Sequence, residues 1–224
     1  MTAIVTVYTA DGFIIGADGR RFDSKTKTIE TDTAQKVFWF ESKTIRLAYA
    51  WTGTTEASDH DGSVWDLITA TREGLPFASN LAMAGFISFL SGLRNRLSTT
   101  VPPMMINMDR EELARAVFVG YFGSQPFTLQ IQVLYPAAVL MIYPSEIHMP
   151  PQHHKTIFSG AESIYPPYAD RKPQTSAEAI SFVHEYIQDC VDSDNPDCAG
   201  IGGHVHIAEI KRQESRWIIP PLTS

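Results

Sequence analysis

With 224 residues, 44% of them hydrophobic and 19% charged, the chain has the makeup of an ordinary globular protein with enough apolar material for a sizeable core. A formal net charge of −7 without any Lys/Arg cluster argues against a nucleic-acid partner. The apolar runs fall short of the roughly 18 residues a bilayer span requires, and two cysteines make no disulfide framework. One cytoplasmic domain over residues 1–224 is expected, with no membrane segment, nucleic acid, cofactor or metal.

Strand signals come first. Residues 3–9 and 13–18 are apolar runs separated by Ala10-Asp11-Gly12, a hairpin signature. A second pair, Val37–Glu41 and Ile45–Ala50, is joined by Ser42-Lys43-Thr44. Ser63 to Glu73 then reads as a helix, with Ser63 as cap and Asp66 three residues on. A longer helix is expected from about Asn80 to Leu97, where Leu81, Ala84, Phe86, Leu90, Leu93 and Leu97 form a broad apolar stripe. Asp109 and Glu112 predict a short helix into Ala114.

The second half repeats the theme. Strands are predicted at Ala116–Phe122, Thr128–Tyr135 and Ala138–Tyr143. Six prolines between Pro144 and Pro173 predict mostly loop there. Thr175-Ser176-Ala177-Glu178 is a capping box that opens a helix to about Cys190. Strands follow at His204–Lys211 and near Trp217–Ile219. This order is α+β, with mostly antiparallel sheets covered by helices.

The chemistry concentrates at the start. Initiator methionine is normally trimmed before a small residue, so the mature chain is expected to begin at Thr2, with no targeting segment ahead of it. An N-terminal threonine carries a hydroxyl nucleophile and, in its α-amine of pKa about 8, the base to activate it. If Ala10 and Asp11 form the turn, cross-strand partner numbers sum to about 21, which sets Thr2 opposite Gly19 and beside Asp18 and Arg20. Lys36 precedes an apolar strand; were that strand to abut the hairpin, its ammonium would pair with Asp18 and favour the threonine alkoxide. Gly53 ends a strand and offers a backbone N–H to an oxyanion. Blander roles compete: Asp18 and Arg20 as a structural ion pair, Lys36 as a solvated edge lysine, Gly53 as a positive-φ turn residue.

The run from Thr2 through Tyr8 and Asp11-Gly12-Phe13-Ile14-Ile15-Gly16-Ala17-Asp18-Gly19-Arg20 resembles the opening of a proteasome β-type subunit. Gln35-Lys36-Val37-Phe38 is similar to that family's lysine motif, and Ala50-Trp51-Thr52-Gly53 to its oxyanion-loop region. Gly16-Ala17-Asp18-Gly19 also resembles the bacterial ring peptidase that works with an ATP-driven unfoldase. Further on, Phe158-Ser159-Gly160 and Gly202-Gly203-His204-Val205-His206-Ile207-Ala208 look like the family's Ser-Gly segment and late Gly-Gly strand. The pattern departs at Cys198 and Ile201, where the family has an aspartate and a serine and where Asp197 stands one residue away, and at Pro166-Pro167, where the family has a helix. It looks like a divergent bacterial branch.

The resemblance implies a four-layer αββα sandwich of two mostly antiparallel sheets, of the N-terminal-nucleophile hydrolase type. It implies a threonine-type peptidase or amide hydrolase with Thr2 as nucleophile, Asp18 and Lys36 as charge partners and Gly53 as oxyanion donor. Ser159 would orient the amine, with Arg20, Gly19 and Asp197 as structural support. Peptide or protein substrates, a homo-oligomeric ring or ring-like assembly and a separate ATP-dependent unfoldase are implied too. Two alternatives stay open: an inactive proteasome-like structural subunit, and a small-molecule amidase on the same fold. His204-Val205-His206 and His153-His154 lack an acidic partner at a ligand spacing and are expected to be structural or surface histidines, the first pair on the outer face of a strand.

Overall fold

A computed structural model describes residues 2–23, 26, 28–58, 64–100, 112–134 and 141–222. The chain opens with the hairpin β1 (Ile4–Thr9) and β2 (Gly12–Ala17). A short pair, β3 (Arg21–Asp23) and β4 (Thr28–Thr31), leads to the hairpin β5 (Val37–Glu41) and β6 (Ile45–Gly53). A further pair, β7 (Glu56–Ser58) and β8 (Val64–Asp66), precedes two antiparallel-strand-covering helices, α1 (Leu67–Leu81) and α2 (Phe86–Thr100). Then come β9 (Glu112–Phe122), β10 (Gln125–Leu134), β11 (Met141–His148) and β12 (Thr156–Ser159). Helix α3 (Ser176–Asp192) and the strands β13 (His206–Ile210) and β14 (Ser215–Ile219) complete the order.

Two five-stranded sheets, wholly antiparallel, run β12-β1-β2-β13-β14 and β11-β10-β9-β6-β5. Strands β1 and β2 read as near-continuous apolar runs because both of their faces are buried. Val5, Val7 and Ile14 face Phe182, Val183, Tyr186 and Ile187 of α3. Their alternates Ile4, Phe13 and Ile15 face Val37, Ala48, Val117 and Val119 of the second sheet. That sheet turns Leu47, Tyr49, Phe118 and Leu129 outward to Leu75, Phe89, Leu93 and Leu97 of α1 and α2. The layers are α-β-β-α, as expected.

The differences from the sequence reading have local causes. Asp66 is itself the cap of α1, its Oδ1 accepting the N–H groups of Ile68 and Thr69, whereas Ser63 lies outside the described residues. The long helix expected from Asn80 is broken by a 3₁₀ turn at Ala82–Ala84 and by Gly85 at φ +121°, so α1 runs on to Leu81 and α2 starts afresh at Phe86. Glu112–Ala114 is strand, not helix: pairing of β9 with β6 and β10 overrides the capping signal, and Asp109 lies outside the described residues. Strand β11 continues through Pro144, tolerated on a sheet edge where the register shifts. The proline-rich stretch also hides β12, which pairs with β1.

Gly120 sits mid-strand in β9, where a Cβ would lie 2.2 Å from Arg46 O and 2.6 Å from Leu47 Cα. Both are backbone atoms of β6 and cannot yield separately from the sheet. Gly120→Ala is expected to cost at least ~2 kcal/mol in chemical denaturation; an unchanged midpoint would show that β6 and β9 can separate locally.

Candidate active site

The two-residue turn at Ala10-Asp11 gives partner pairs from Thr9↔Gly12 to Ile4↔Ala17, so the sum of 21 holds along the whole hairpin. Beyond its end Asp18 N–H donates to Ala3 O at 3.3 Å, and Ala3 N–H donates to Asp18 Oδ1 at 2.9 Å. Thr2 is therefore delivered beside Gly19. On its other side, Gly160 follows β12 at φ +78°, so close that a Cβ there would lie 2.0 Å from Thr2 O. Tyr186 of α3 holds this glycine, its hydroxyl donating to Gly160 O at 3.1 Å.

Asp18 is wholly buried and accepts four hydrogen bonds. Besides the bond to Oδ1, its Oδ2 accepts the N–H of Arg20 at 3.2 Å and of Gly202 at 3.1 Å, and the Lys36 ammonium at 2.9 Å. The same Lys36 Nζ lies 3.1 Å from Thr2 Oγ1. Gly19 lets the segments close up: its N–H donates to Gly202 O at 3.1 Å, and a Cβ would meet His204 O at 2.6 Å.

Lys36 is 9% exposed. Burial lowers its pKa below 10.5; the Asp18 carboxylate opposes this, and the Arg21 and Arg20 charges add to it. It is not a solvated edge lysine. An ammonium held at 3.1 Å from a hydroxyl favours the ionised hydroxyl, and the carboxylate behind it keeps that ammonium from wandering.

His206 corrects the expectation of an outer-face histidine. Its parity in β13 matches Ala208 and Ile210, which point between the sheets, and it is buried. Its Nε2 accepts two backbone N–H groups, from Lys36 at 3.0 Å and Val37 at 3.1 Å. Burial pushes its pKa down to about 4. His204 instead turns Nε2 to Pro220 O at 2.8 Å. No three His, Cys, Asp or Glu side chains cluster as a metal site among the described residues.

The structure thus joins Thr2, Asp18, Gly19 and Lys36. Arg20 stands beside them but pairs with Asp32 at 2.6 Å, not with the Asp18 carboxylate, while its Nη1 donates to Ile201 O at 3.4 Å. Gly53 is exposed at the end of β6 with φ +91°; extending the Val37↔Ala50 register sets it at the same end of the sheet as Lys36. Ser159 is buried, one strand across and paired with Ile4. Asp197 is exposed in the 3₁₀ turn Pro196–Cys198 and has no contact with Thr2 among the described residues; its neighbour Cys198 is the buried one. Nothing in the sequence pointed to Tyr186, and His206 was expected on an outer strand face, not on the Lys36 backbone. A tyrosine on a helix face and a histidine in an apolar strand announce no long-range partner, so spacing could not have found them.

No protein-family model matches the chain, and none of the characterised proteins compared with it is similar in sequence. Solved structures do share its fold. One is the Anbu (Gly-1) mutant from Hyphomicrobium sp. strain MC1, with a TM-score of 0.62 over 98% of this chain and 87% of that one, at 12% identity. Another is the helical assembly of the Anbu complex from Pseudomonas aeruginosa, with a TM-score of 0.57 over 97% of this chain and 86% of that one, at 13% identity. The likeness extends over nearly the whole chain, which shares the αββα fold of these two Anbu structures.

Proposed function

We propose that the chain is a threonine-type amide hydrolase acting on peptides, with Thr2 as nucleophile once Met1 is removed. The observation that supports this best is the single ammonium of Lys36 bridging the buried Asp18 carboxylate and Thr2 Oγ1. Thr2 Oγ attacks the amide carbonyl carbon while the freed α-amine takes the hydroxyl proton. The Gly53 N–H steadies the oxyanion, and Ser159 steadies the amine. As the tetrahedral intermediate collapses, the C–N bond breaks and the amine passes its proton to the leaving nitrogen. Water then attacks the acyl-ester, gives its proton to the amine, and the acid departs as Oγ recovers that proton. Lys36 acts in its charged form, so activity is lost as pH rises through its lowered pKa, below 10.5.

Self-assembly belongs to the same reading. Phe77 of α1, Met83 in the turn and Ile87 of α2 are exposed, Met83 by 80%, on the outer helical layer. A structural neighbour forms a helical assembly, and contact between copies of this chain would cover such an apolar surface. An ATP-driven unfoldase, if one serves it, would be a separate protein.

Intact mass after incubation with a β-lactone or epoxyketone electrophile is expected to show loss of Met1 and one adduct, with no adduct in Thr2→Ala. Retained Met1 without an adduct would sink the peptidase reading and favour an inactive subunit. Cleavage of small acyl-amides but not fluorogenic peptides would redirect it to a metabolite amidase. Asp18→Asn keeps one acceptor and turns an NH₂ towards donors and the ammonium; it is expected to destabilise by about 3–5 kcal/mol in urea titration. Ile87→Asp with Met83→Asp is expected to shift sedimentation to smaller species, and unchanged sedimentation would place the contact elsewhere.

A further inference from the structure

The geometry points to His206 as a positioning residue for the proposed hydrolysis, one that ties the backbone of Lys36 across the two sheets so that its ammonium meets both Asp18 and Thr2. This inference rests on the function proposed above.

Lys36 is held at both ends. Its head group sits on Asp18, just past β2 in the first sheet. Its backbone N–H, with that of Val37, converges on Nε2 of His206 from β13 of the same sheet. His206 is paired with Ala17, the residue before Asp18, so both anchors issue from adjacent positions on neighbouring strands. Lysine has a flexible four-carbon stem, and a head-group contact alone leaves its root free to drift with the edge strand β5. Securing the root as well converts an ion pair into a fixed donor at 3.1 Å from the nucleophile.

Only a neutral ring does this. Two N–H donors require a lone pair on Nε2, so the neutral ring carries its proton on Nδ1. The ring is sealed by Trp217 of β14, edge-on at 6.2 Å, itself packed on Trp39 of β5 at 4.6 Å. Titratable groups facing it are the Lys36 ammonium and the His204 ring; β2 contributes Ala17, and the tryptophans of β5 and β14 are not ionisable. Desolvation and these two neighbours keep it neutral down to about pH 4. A histidine that never changes charge in the working range of the amine acts here as a fixed acceptor.

The test compares His206→Gln, whose Oε1 can occupy the place of Nε2, with His206→Asn, whose oxygen is too short to reach, and His206→Leu, which has no acceptor. The Lys36 titration is followed by NMR of 13Cε-labelled lysine, with kcat and KM measured in parallel. In Asn and Leu, water gains access to the loosened strand start, so the Lys36 pKa is expected to rise by about half a unit or more. Their kcat is expected to fall about tenfold or more with KM within about twofold, while Gln keeps both readouts near wild type. If Leu does not fold, Asn against Gln decides the matter. An unmoved lysine titration in Asn and Leu, or Gln as damaged as Asn, overturns the proposal. A wild type that hydrolyses nothing defeats the proposed function alone, because the lysine titration still reports on His206.

Discussion

The site hangs on one carboxylate. Asp18 takes donors from four separate stretches: the first residues of the chain, its own turn, the start of β5 and the glycine pair before β13. These stretches lie far apart in the chain, and the carboxylate is the one acceptor they share. A buried ion pair is weak evidence for net stability, since desolvation offsets much of its Coulomb gain. Its value here is geometric: a wholly buried carboxylate held by three backbone N–H groups gives the ammonium a fixed partner.

What surrounds that carboxylate is mostly backbone. Gly19, Gly160 and Gly202 are each approached so closely that a Cβ would collide with a neighbouring segment or side chain. Chain segments meet at the site without side chains between them, and Thr2 is gripped by the β2 end on one flank and by the β12 end on the other. Asp18 and Lys36 each sit one residue outside a strand, after β2 and before β5, so rigid strand ends hold both.

Much of this was legible beforehand, for physical reasons. A two-residue turn fixes hairpin register, so arithmetic on residue numbers located Thr2 beside Gly19. Strands buried on both faces read as apolar runs, and Thr175 announced α3 through its capping bond to Glu178. Other parts were opaque. Strand β12 lies among prolines, and its pairing with β1 spans some 150 residues of sequence, roughly the separation at which local pattern carries no signal. The partners of Arg20 and His206 depend on loops folding back against the sheets, and Asp197 appeared useful only because its place in the chain was near; its turn faces it outward. Long-range side-chain bonds leave no periodicity to read.

The turn at Ala10-Asp11 carries a consequence out of proportion to its size. It lies about 25 Å of strand from Thr2, taking about 3.3 Å per residue, yet it acts as the ruler against which Thr2 is placed. One residue inserted there would slip β1 against β2 by a step and turn every side chain of β1 to the opposite face. Thr2 would then point away from Lys36 although nothing at the site had changed. The length of the first hairpin therefore sets where Thr2 falls against Asp18 and Lys36 as firmly as any side chain at the site does.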